Sequence, residues 1–69
     1  MNLRYVKIGD TVELKNNIGQ RERLTVNRVD RDDKIKGMEK VGGLALEDEA
    51  GVLHWFSWAA LVERGALRI

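Results

Sequence analysis

The run Thr11-Val12-Glu13-Leu14-Lys15 alternates polar and apolar residues, and no long helical period appears anywhere before residue 58. A repeat of two puts Val12 and Leu14 on one side of an extended strand and the polar residues on the other. The same pattern returns twice, and a third strand is marked by its aromatics. Leu24 and Val26 share a face within 23–29, Leu44 and Leu46 within 41–47, and Val52-Leu53-His54-Trp55-Phe56 forms the most aromatic stretch. Glycine, aspartate and asparagine stand between the runs. Ile8-Gly9-Asp10 reads as a tight turn, Asn16-Asn17-Ile18-Gly19 as a loop, and Asp48-Glu49-Ala50-Gly51 as a hairpin turn in which Gly51 supplies a positive backbone angle. Short strands joined by turn residues define an all-β chain.

Several details refine that reading. Val29 falls out of phase with Leu24 and Val26, and a bulge near Asn27 would re-aim it inward. Residues 30–40 carry eight charges in eleven positions and read as a solvated loop. Ser57 is suited to cap a single helical turn, Trp58-Ala59-Ala60-Leu61. Val62-Glu63 is then expected as the last strand, with 64–69 a tail whose Leu67 and Ile69 can pack. The expectation is one domain over 1–69: a small five-stranded barrel with one short helical turn before the last strand.

At 69 residues there is no room for a second core. Hydrophobic residues make up 43% of the chain, too many for a disordered segment. With no cysteine, disulfides and thiolate metal sites are excluded, and the lone histidine, His54, is too few for a histidine-built zinc site. The longest apolar run, Trp58 to Val62, is far short of the ~20 residues that span a bilayer. Residues 1–7 carry no apolar stretch of a secretory leader, so the expected location is cytoplasmic. Small domains usually lean on a disulfide, a metal or a partner subunit. Here self-association is the device that remains.

The opening Gly9-Asp10-Thr11-Val12-Glu13-Leu14-Lys15, the central Leu24-Thr25-Val26, the aromatic His54-Trp55-Phe56 and the following Ala59-Ala60-Leu61 together resemble a Src-homology-3-like (SH3-like) barrel. The layout is similar to a family of short uncharacterised bacterial barrel proteins. More weakly, it is similar to the plasmid-encoded type II dihydrofolate reductases. That second resemblance implies a tetramer around a shared pore, with pterin and nicotinamide meeting one strand. Alignment on Ala59-Ala60-Leu61 places His54, Trp55 and Phe56 where those reductases read Gln-Ile-Tyr, and none of the three is identical. No enzymatic activity and no cofactor are therefore expected.

The residues themselves agree. His54 and Ser57 are the only base–nucleophile pair on offer, and three positions apart on a strand they face opposite ways. Glu47, Asp48 and Glu49 cluster on a turn but do not supply the six to eight oxygens of a calcium loop. Gly42-Gly43 lacks the lysine and hydroxyl of a phosphate-binding loop and reads as a kink or a close approach of backbones.

Two sets of residues suggest binding. Trp55 and Phe56 are neighbours on one strand, so one faces inward and the other outward. With His54 and Trp58 they form the expected contact surface for a protein or peptide partner, or for a second copy. Arg21, Arg23 and Arg28, with Arg31, Lys34, Lys36 and Lys40, place seven of 12 basic residues within twenty positions, which suggests single-stranded nucleic acid as the alternative ligand. Interleaved Glu22, Asp30, Asp32, Asp33 and Glu39, and a net charge of +1, oppose it. The expected function is a self-associating interaction module that binds no membrane.

Overall fold

Leu24 and Val26 point inward from a ten-residue strand to which both halves of the sheet are attached. The structure, a computed structural model, describes residues 3–30, 33–35, 38–40 and 42–69. A 3-10 turn (Leu3–Tyr5) leads into β1 (Thr11–Lys15) and β2 (Arg21–Asp30). A small hairpin, β3 (Asp33–Ile35) and β4 (Met38–Lys40), separates β2 from β5 (Gly43–Glu47). Then come β6 (Leu53–Ser57), α1 (Trp58–Glu63) and β7 (Leu67–Arg68). The main sheet is antiparallel, in the order β6-β5-β2-β1-β7, and among the described residues β3 pairs with β4 alone. The chain is thus all-β with one short helix. Among the described residues the sheet is open, with β6 and β7 as its outer strands. No helix among them is long and apolar enough to cross a membrane.

β2 pairs with β1 through Arg21 to Thr25 and with β5 through Thr25 to Asp30, so Thr25 has a neighbour on each side. Between Val26 and Arg28 the register slips by one residue. This is the bulge expected near Asn27, and it returns Val29 to the inner face, where it packs against the core. Val12, Leu14, Leu24, Val26, Leu44 and Leu46 line that face, joined by Leu3, Val6, Leu61 and Ala66. Among the described residues, no polar side chain is buried with them.

Two expectations are corrected. Val62 and Glu63 are not a strand: α1 continues through them, and the final strand is Leu67–Arg68. Ser57 caps the helix as anticipated, its Oγ accepting from Ala60 N–H at 3.1 Å. The helix continues because a complete stop lies further on. Gly65 takes φ +61°, its N–H donates to Val62 O, and Ala66 N–H donates to Leu61 O. That is a Schellman closure, sealed by the buried pair Leu61 and Ala66. Second, the span expected as a loop over 30–40 contains the β3–β4 hairpin. Arg31 and Lys36 lie outside the described residues.

Gly43 is a point of close approach. A Cβ built there would overlap the Phe56 carbonyl oxygen and sit 2.9 Å from both Phe56 C and Ser57 Cα. Here a side chain is excluded by packed backbone on the neighbouring strand, and the positive backbone angles of the turn glycines play no part.

Candidate functional site

β6 has a strand neighbour on one side only among the described residues. Its register with β5 pairs Leu44 with Phe56 and Leu46 with His54, which puts both β6 residues on the core side of the sheet. Phe56 packs partly against the core, while His54, nearer the sheet's end, remains exposed. Trp55 and Leu53 take the outer face and are 51% and 54% exposed. Trp58, first residue of α1, also packs partly on the core. Of Trp55, Phe56 and Trp58, Trp55 is therefore the one presented outward. It closes a cross-strand row, Arg28–Ala45–Trp55, in which the small alanine leaves the indole's flank uncovered.

A cleft of about 520 Å³ lies beside this strand. Leu53, His54, Trp55 and Phe56 all line it, although their side chains alternate between two faces. Four consecutive strand residues can share one cleft only if it runs along the strand's edge. The opposite lip is formed by Asn16 and Asn17 of the β1–β2 turn and by Arg64, and the cleft reaches down to Leu14 and Leu24. Within the strand itself, β6 contains no proline, no lysine and no bulge to block pairing.

The walls are tied together by polar contacts. Asp48 Oδ1 accepts from Ala50 and Val52 N–H, which shapes the β5–β6 turn. Its Oδ2 lies 2.8 Å from His54 Nε2. An ionised carboxylate can only accept, so that ring nitrogen carries a proton. Arg64 donates to Lys15 O at 3.1 Å and to Asn17 Oδ1 at 2.8 Å, with its guanidinium 5.4 Å from the Phe56 ring centroid. It thereby braces the far lip against β6. His54 and Ser57 make separate contacts, one with Asp48 and the other with the helix N-terminus. They do not form a catalytic pair. No cluster of three metal-ligating side chains occurs among the described residues.

The three arginines suggested for nucleic acid all face carboxylates. Arg21 and Arg23 contact Glu13 at 3.1 and 3.5 Å, and Arg28 contacts Asp30 at 3.0 Å. The Arg21 guanidinium holds the Glu13 carboxyl below its ordinary value of 4.5, and the His54 contact holds Asp48 below its ordinary 3.8. On acidification the unfolded chain binds these protons before the folded one does. The stability they add is present above the unfolded values and is lost as pH falls through the lower folded ones. Thermal melts followed by circular dichroism should therefore show Tm falling below about pH 4.5. The double variant Glu13→Gln/Asp48→Asn should flatten that fall, and an unchanged slope would count against both contacts.

Asp48 and Arg64 were not anticipated as site residues. The turn position of Asp48 was visible in sequence, but nothing local marks Arg64, whose partners lie 47 and 49 positions away. No family model, curated protein or solved structure matches the chain.

Proposed function

We propose that this chain is a non-enzymatic interaction module built as a small SH3-like barrel, and that it accepts an extended segment of a protein partner along the edge of β6. The barrel reading is supported by the strand order and by the long, bulged β2 serving both halves of the sheet. The binding reading rests on one observation: the cleft that follows the edge of β6 beneath half-exposed Trp55. A peptide laid there would gain main-chain hydrogen bonds from the strand, with side-chain pockets supplying selectivity. The nucleic-acid alternative has less support, because Arg21 and Arg23 share the Glu13 carboxylate and Arg28 faces Asp30, which offsets most of the local positive field.

A displayed library of random nonapeptides tests this. Selected peptides should bind the full chain with micromolar Kd. Trp55→Lys should weaken them at least about tenfold, because lysine is a natural guard of strand edges. Val62→Lys, a change at an exposed helix position outside the cleft, should leave binding unaltered. Failure to select any peptide, or equal binding by Trp55→Lys, would refute the reading.

A further inference from the structure

We infer that β6 of a second copy of this chain fits the β6 edge, paired antiparallel about a two-fold axis through Trp55. The inference rests on β6 being an open edge, and it specifies the occupant and the register. The strand Leu53-His54-Trp55-Phe56-Ser57 carries no carboxylate, lysine or arginine. Self-pairing centred on Trp55 sets Trp55 against its own copy, His54 against Phe56 and Leu53 against Ser57. No pair opposes like charges, which is the usual obstacle to joining two identical edges. On the outer face the row becomes Arg28–Ala45–Trp55–Trp55–Ala45–Arg28, with the two arginines at its far ends and the indoles covering one another. The other outer strand suits this less well. β7 is two residues long and includes Arg68.

The domain has a reason to self-associate. A chain of 69 residues buries only about 60% of its unfolded surface, and Val52 just before β6, with Leu53 and Trp55 within it, are each more than half exposed. A five-residue seam is roughly 17 Å long. That is a small interface, so the dimer should dissociate in the micromolar range.

The absence of cysteine makes the register directly testable. In Trp55→Cys the two introduced thiols face each other across the axis, with Cα atoms about 4.5–5.5 Å apart, within disulfide reach. In Leu53→Cys each thiol faces Ser57 of the other copy, and the two thiols lie roughly 14 Å apart, beyond reach. Each variant, full length, is oxidised with glutathione disulfide at several hundred micromolar and run on a non-reducing gel. Trp55→Cys should form covalent dimer at least about tenfold faster than Leu53→Cys, and the difference should vanish in guanidinium. Light scattering of the wild-type chain at the same concentration should give the mass of two chains, and Trp55→Lys the mass of one. Equal oxidation of the two cysteine variants overturns the register. A single-chain mass for the wild type overturns the second copy as occupant. If selected peptides still bind in a Trp55-dependent way, the interaction module itself survives that result; if they do not, both readings fall.

Discussion

Gly43→Ala should destabilise the fold by about 3 kcal/mol, at the upper end of what overpacking costs. The added methyl would meet the Phe56 carbonyl, Phe56 C and Ser57 Cα, all backbone atoms that cannot rotate aside. Relief requires β6 to move away from β5, which loosens the ladder from Gly43–Ser57 to Glu47–Leu53 and with it the cleft. A domain of this size has a total stability of roughly 3–10 kcal/mol, so the loss is about a third of the total or more. Urea denaturation followed by tryptophan fluorescence measures this. A midpoint within error of wild type would mean that the two strands do not approach as closely as described. Gly51→Ala makes a useful comparison: nothing lies within 4 Å of its added Cβ, and only its φ of +80° opposes the change. Its smaller loss of stability would separate backbone conformation from steric exclusion.

Leu61→Ala should cost about 3 kcal/mol, within the usual range for a buried leucine. Leu61 is the buried residue of α1, a six-residue helix too short to persist without tertiary packing. Alanine is the better helix former, so any loss reports packing and not propensity. Because Leu61 and Ala66 also seal the helix C-terminus, the approach to β7 should loosen as well. Leu61→Met, nearly equal in volume, should stay within about 1.5 kcal/mol of wild type. Unfolding curves for the two variants decide the matter, and similar losses from both would point to shape specificity in place of cavity formation.

Much of the sheet was readable from local pattern. Val12, Leu14, Leu24, Val26, Leu44 and Leu46 alternate as strand residues must, and all six are buried. The phase break at Val29 located the bulge, and Ser57 located the helix start. The last strand lies beyond Val62 and Glu63, which suit either structure by pattern, because the helix stop falls at Gly65, with φ +61°. The β3–β4 hairpin was hidden by charge: its residues show no apolar alternation, and backbone pairing does not require any. The site was legible only in part. Alternation required Trp55 and Phe56 to face apart, but which of them faced outward depended on the register with β5. The Arg64 brace and the cleft arise from elements distant in sequence, and no local periodicity encodes such contacts.

The division of β2 between two sets of neighbours bears on how a grip at one rim is felt at the other. With Thr25 held on both sides, the β1–β7 flank and the β5–β6 flank share a single spine and have no seam along which to melt separately. A molecule clasping β6 in the native state only would, by mass action, make global melting rarer. Residues as remote as Leu67 would then gain protection without touching the visitor, so tightening at the far margin need not signal a second point of attachment.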